Sequence, residues 1–122
     1  MIIGIGTDII EIKRIEEAVN RTPKFLEKMF TEKEIALFKS KAMKMETIAG
    51  NFAAKEALSK ALGTGFRGYS FKDFEVLRNE LGKPIIEPCE KVKDNIGKED
   101  IKINVSISHN RSDAIAFVVV EA

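Results

Sequence analysis

The hydrophobic period of this chain changes at Gly63, and no other feature constrains the fold as strongly. Upstream, apolar residues recur at helical spacing. Ile12, Ile15 and Val19 are separated by Lys13, Arg14, Glu16 and Glu17, the pattern of an amphipathic helix. Pro23 ends or restarts that helix. KFLEKMF, with Phe25, Leu26, Met29 and Phe30, predicts a short second helix. Thr31 opens TEKE, a capping box with Glu34 at the third helical position, ahead of a helix holding Ile35, Leu37 and Phe38. A longer helix is expected from about Met45 to Leu62, with Gly63 as its C-terminal stop.

Downstream the texture alternates. Phe71, Phe74, Val76 and Leu77 sit among polar residues, NELGKP reads as a turn, and Ile85 and Ile86 open the next strand. EPCEKVKDNIGKED reads as a polar helix and loop. IKINVSISHN points Ile101, Ile103, Val105 and Ile107 inward. NRSD is a turn, and AIAFVVVEA reads as a more fully buried closing strand, so the last two strands form a hairpin. At the front, Ile2, Ile3 and Ile5 predict a short buried strand, thinned by Gly4 and Gly6 so that other backbone can come close. Asp8 then falls near the strand end, and the helical pattern starts from about Ile9. A strand, several helices and then mainly strands make an α+β domain, not an alternating parallel α/β one. No repeat or linker divides the chain, so one domain over 1–122 is expected.

With 122 residues, 44% hydrophobic and 32% charged, the core is real but not large, and oligomerisation is a reasonable supplement to its burial. A net charge of +1 gives no global field for nucleic acid. MIIGIGTDII is too short and too interrupted for a membrane span or signal peptide. The single cysteine, Cys89, excludes an internal disulfide, fits a reducing cytoplasm and reads as an inert thiol.

Chemistry concentrates in NFAAKEALSKALGTG, Asn51 to Gly65. At about 100° per residue, Ala54, Leu58, Ala61 and Leu62 share a core-facing side. Glu56 and Lys60 lie opposite, near Phe52, Ala53 and Ser59. That pair is either an exposed salt bridge worth a few tenths of a kcal/mol or one wall of a phosphate and metal site. Ala53 and Ala57 beside it would let a ligand or another chain approach, and Gly63-Thr64-Gly65 frees backbone N–H groups that could meet phosphate. Asp8 is a helix cap or a carboxylate ligand at a strand end. Mg²⁺ is usually held by one or two carboxylates plus phosphates and water, so Asp8 and Glu56 suffice if the fold unites them. His109, the only histidine, is a structural turn residue or a group for phosphate binding or proton transfer.

GIGTDIIEIKRI, FAAKEALSKALGTG and VSISHNRSDAIAFVVVE, in that order and over essentially the whole chain, closely resemble the bacterial holo-acyl-carrier-protein synthases, the small branch of the 4'-phosphopantetheinyl transferases. The resemblance implies that fold, and transfer of the 4'-phosphopantetheine arm of coenzyme A to a serine of apo-acyl carrier protein in fatty acid biosynthesis. It implies Mg²⁺ and a cytoplasmic homotrimer with active sites at subunit interfaces. By motif position, Asp8 and Glu56 are the Mg²⁺ ligands and Lys60 lies near the pyrophosphate. Gly63, Thr64, Gly65, Lys83, Pro84, Ser108 and His109 correspond to parts of the coenzyme A site. The serine proton passes to Glu56 through a water on the metal, ranked first, or directly to a carboxylate. The acidic partner docks on the first helix at Arg14, with Arg21 and Lys24 nearby. One departure is Asn51, where many relatives carry an arginine that contributes to coenzyme A phosphate binding. Either Lys44 compensates or the 3'-phosphate is held less tightly.

Overall fold

The computed structural model describes residues 1–63, 68–92 and 101–122. The order is β1 (Ile2–Glu11), α1 (Ile12–Arg21), α2 (Phe25–Met29), α3 (Glu32–Ser40), α4 (Met45–Ala61), a 3-10 turn at Phe71–Asp73, β2 (Phe74–Arg78), β3 (Pro84–Pro88), β4 (Lys102–His109) and β5 (Asp113–Glu121). The class is α+β, as the change of period predicts. β1, β5 and β4 form an antiparallel sheet with β5 central, and β2 and β3 pair as a separate antiparallel hairpin. The NRSD turn closes on Asn110, whose Oδ1 accepts hydrogen bonds from the backbone N–H groups of Ser112 (2.9 Å) and Asp113 (2.7 Å). Such side-chain mimicry of a backbone turn is what asparagine supplies. The loop expected after Val92 falls largely on 93–100, outside the described residues.

The front of the chain differs from expectation. β1 continues through Asp8 to Glu11, and α1 starts only at Ile12. Ile2, Ile3, Ile5 and Ile9 are all more than half exposed. The other side of the strand is the packed one. A Cβ on Gly4 would sit 1.8 Å from the Ala61 carbonyl oxygen, and one on Gly6 2.0 Å from that of Ala57. The glycines thus bring β1 into backbone contact with α4; Ile3, Ile5 and Ile9 are turned away by the two-residue period, and Ile2 lies beyond a register shift ahead of Gly4.

β5 corrects a second expectation. Ala114, Ala116, Val118 and Val120 are buried, while Ile115 and Phe117 are 43% and 44% exposed. The strand is apolar on both sides, but within one chain only the α4 side is covered.

Two apolar clusters flank α4. One joins its Ala53, Ala57 and Leu58 to Phe74, Val76, Val118 and Val120. The other joins Ile48 and Ala49 to Ile12, Ile15, Phe25, Phe30 and Phe38 of the preceding helices. α3 begins with the predicted capping box between Thr31 and Glu34. Gly63 follows α4 at φ +76°, where glycine is favoured.

Candidate functional site

The site is built where β1 crosses α4. From Gly4 onward, even-numbered residues of β1 face the helix, so Asp8 continues the row begun by Gly4 and Gly6. Lys60, in the last turn of α4, donates to the Thr7 carbonyl (2.9 Å) and to Asp8 Oδ1 (3.3 Å). One turn earlier, Glu56 shares this open arc of the helix. Its carboxyl is pushed above the ordinary glutamate range, first by partial burial and then by the nearby Asp8 charge, with Lys60 opposing. Asp8 is therefore a strand residue three positions short of the strand end. The N-cap of α1 is Glu11, which makes no side-chain cap bond, so the capping alternative for Asp8 falls.

Two neighbouring carboxylates with a lysine alongside are an oxygen donor set suited to a hard divalent cation. Among the described residues no group of three or more His, Cys, Asp or Glu side chains is arranged to hold a metal.

The other predicted residues are dispersed. Gly63 is exposed directly after α4; Thr64 and Gly65 lie outside the described residues. Lys83 and Pro84 enter β3, in the second sheet. Ser108 and His109 end β4. Ser108 is in register with Ile115 and Ile9, on the side of the sheet away from α4, whereas Asp8 shares its row with Ala116 and Ile107 on the α4 side. Arg14, Arg21 and Lys24 are exposed, and Arg14 and Arg21, seven apart, share a face of α1.

One expectation changes. The small residues beside Glu56 and Lys60 do not leave space: Ala53 and Ala57 are fully buried, and β1 fills the gap. Phe52, close to Glu56 on the helical wheel, is half-buried. It packs between Phe25 and Phe71, ring centroids 6.4 and 5.3 Å away. Asn51 is fully buried. Its Nδ2 donates to the Val76 carbonyl (2.8 Å), and its Oδ1 accepts from the Arg78 guanidinium (2.9 Å).

Sequence reasoning gave Lys55 no role, yet it is fully buried beside the site. Its ammonium donates to Glu34 Oε1 (2.6 Å), the Phe71 carbonyl (2.6 Å) and the Met29 carbonyl (3.3 Å), 5.1 Å from the centroid of the Phe30 ring. Glu34 also accepts from the N–H groups of Thr31 and Val76. Burial pushes the Glu34 pKa up and the Lys55 pKa down, and their pairing opposes both shifts. The available signal was the helical wheel, on which Lys55 falls near Leu62 and Leu58, among apolar positions.

A model of the 4'-phosphopantetheinyl transferase superfamily matches residues 4–118. A holo-[acyl-carrier-protein] synthase of Clostridium beijerinckii is 58% identical over 122 residues, covering 100% of this chain and 99% of the relative. Among solved structures, a Bacillus anthracis holo-(acyl-carrier-protein) synthase in complex with CoA (3',5'-ADP) is 42% identical, with a TM-score of 0.82 over 100% of this chain and 98% of that one. A Helicobacter pylori holo-[acyl-carrier-protein] synthase in complex with coenzyme A is 40% identical, with a TM-score of 0.83 over 96% and 99%. With its fold and its full length matched in this way, the chain belongs to the 4'-phosphopantetheinyl transferase superfamily, in the holo-acyl-carrier-protein synthase branch.

Proposed function

We infer that this chain transfers the 4'-phosphopantetheine arm of coenzyme A to a serine hydroxyl of apo-acyl carrier protein. The observation that carries the reading is the meeting of Asp8, Glu56 and Lys60 at the β1–α4 crossing, in a chain of this family. The serine oxygen bonds to the β-phosphorus, the bond from that phosphorus to the bridging oxygen breaks, and adenosine 3',5'-bisphosphate leaves. Asp8 and Glu56 would hold Mg²⁺, which when bound neutralises charge on the phosphoryl oxygens. Lys60, its side chain 58% exposed, retains donor capacity toward a phosphate and stabilises charge that grows in the transition state. The serine proton passes to Glu56 through a water, or directly to a carboxylate of the pair. Gly63, Lys83, Pro84, Ser108 and His109 contribute to holding coenzyme A, and Arg14, Arg21 and Lys24 steer the acidic partner onto α1.

A homotrimer with interfacial sites follows from the same reading. Ile3, Ile5, Ile9, Ile115 and Phe117 form an exposed apolar face on one side of the three-stranded sheet, the kind of patch that marks an interface. Ser108 lies on that face and Asp8 on the other, a division that a site shared between copies would explain. No helix among the described residues is long and apolar enough to cross a membrane. The proposed setting is the cytoplasm, supplying holo carrier protein for fatty acid biosynthesis.

The test is intact-mass spectrometry of apo-acyl carrier protein incubated with this protein, coenzyme A and Mg²⁺, with a parallel sample in EDTA. A gain of one phosphopantetheine that EDTA abolishes is expected. Transfer undiminished in EDTA would remove the metal role, and no transfer at all would remove the activity. Light scattering should give the mass of three chains, and Phe117→Glu should lower it.

A further inference from the structure

We propose that Lys55 is a positioning residue for phosphopantetheinyl transfer: its three hydrogen bonds set the rotation of α4, and so the meeting of Glu56 and Lys60 with Asp8. The inference rests on the reading of those three residues as the reacting site.

The argument comes from how α4 is gripped. On one flank, the Gly4 and Gly6 backbone lies against the Ala61 and Ala57 carbonyls. Lys55 and Ala57 are about 200° apart around the helix, so Lys55 grips the opposite flank. Each of its oxygen partners belongs to a different segment: Met29 ends α2, Glu34 lies in α3 and Phe71 opens the 3-10 turn. Glu56 and Lys60 occupy the arc between the two grips, with Glu56 adjacent in sequence to Lys55. β1 carries Asp8 on the first flank. The carboxylate of Glu56 can therefore keep its place relative to Asp8 only if the second flank stays fixed.

The required precision is small. At the ~5–6 Å radius of a helical side chain, a rotation of about 10° moves its end by about 1 Å. A misplacement of about 1 Å can cost about a hundredfold in rate. An ammonium held by three oxygens from separate segments resists such rotation better than an apolar side chain, whose contacts have no preferred direction. Lys55 is fully enclosed by protein, so it acts through Glu56 and Lys60 and does not touch substrate.

Two variants test this in the full chain. Glu34→Gln with Lys55→Met removes both charges at similar volume, an exchange that folded proteins often accept. Lys55→Arg keeps the charge but replaces three freely directed donors with a rigid planar fork. Circular dichroism and thermal melting report folding. Steady-state transfer to apo-acyl carrier protein gives kcat and the KM for coenzyme A. The expected result is a folded double variant with kcat lowered at least tenfold and KM changed less than about threefold, and a smaller loss of kcat in Lys55→Arg. Wild-type kcat in either folded variant overturns the proposal, and failure of both to fold assigns Lys55 to folding alone, which also overturns it. An inactive wild-type protein in the same assay would instead overturn the underlying reading of the site.

Discussion

Lys55 and Lys60 stand five residues apart on α4, each beside a carboxylate from another element, and their surroundings differ in every respect that matters for chemistry. Lys55 meets Glu34 at 2.6 Å with both side chains fully buried. Its three N–H bonds are spent on protein oxygens, so it has nothing left to offer a ligand. Lys60 meets Asp8 at 3.3 Å, with side-chain exposures of 58% and 18%, and can exchange those contacts for phosphate oxygens. A charged pair therefore becomes a structural fastening or a working site according to what encloses it. Similar spacing in the sequence does not distinguish the two.

The most damaging way to break this contrast is Lys55→Ala. It leaves Glu34 buried opposite a void. Breaking a buried pair by removing one partner costs about 3–5 kcal/mol, which urea denaturation would read directly. The loss should depend on pH. Burial already raises the Glu34 pKa, and without Lys55 it rises further. The folded variant then binds a proton that the unfolded chain releases, so its stability falls as pH rises above the ordinary glutamate range, and its deficit grows once pH passes the wild type's own raised value. A deficit equal at about pH 5 and about pH 8 would show that Glu34 escapes to solvent.

Glu56→Gln should do the reverse, abolishing most activity without loss of stability. Removing a group that organises transition-state charge costs about 10²–10³ in kcat, measured by the mass shift of the carrier protein over time. Because the Glu56 pKa is raised in the folded protein, its charge works against folding, and that penalty appears as pH rises from the ordinary glutamate range through the raised value. The variant should match wild type at about pH 4 and equal or exceed its stability at about pH 7. Near-normal turnover with Mg²⁺ would remove Glu56 from the site.

Gly6→Ala probes the frame shared by both clusters. Its Cβ would fall 2.0 Å from the Ala57 carbonyl oxygen, so β1 must lift from α4. Overpacking of this kind costs about 1–3 kcal/mol, and moving β1 also carries Asp8 away from Glu56. Thermal melting and kcat should both fall, whereas a loss of stability with unchanged kcat would separate the frame from the site.

Much of this molecule could be read before its structure. The capping box at Thr31, the end of α4 at Gly63 and the closing hairpin are local signals, set by hydrogen bonds a few residues long. What the sequence could not convey is which side of a residue row faces what. In β1, isoleucines suggested burial, but the glycines face the core, because the helix there needs backbone contact. In β5, Ile115 and Phe117 extend an apolar run whose second side stays uncovered within one chain. Asp8 and Glu56 were candidates by residue type and position and became a pair only through family resemblance, because nothing local states that β1 passes α4. Lys55 was missed because a lysine is rarely fully buried, and its partner Glu34 had already been explained by the capping box. That carboxylate does both jobs, with Oε1 accepting from Thr31 N–H and from Lys55.

The smallest change in stability should come from Lys60→Ala. An exposed ion pair contributes about 0–1 kcal/mol, and the Thr7 carbonyl that Lys60 releases can turn to water. Added salt should shrink the difference further, since exposed charges are screened over about 10 Å at 0.1 M ionic strength. Denaturation in low and high salt would measure both. Activity should fall by about a hundredfold although the fold barely changes, the inverse of the Lys55→Ala pattern. If Lys60→Ala instead lost as much stability as Lys55→Ala, Lys60 would be a second fastening of β1 to α4, and the phosphate would have to be met by another cation.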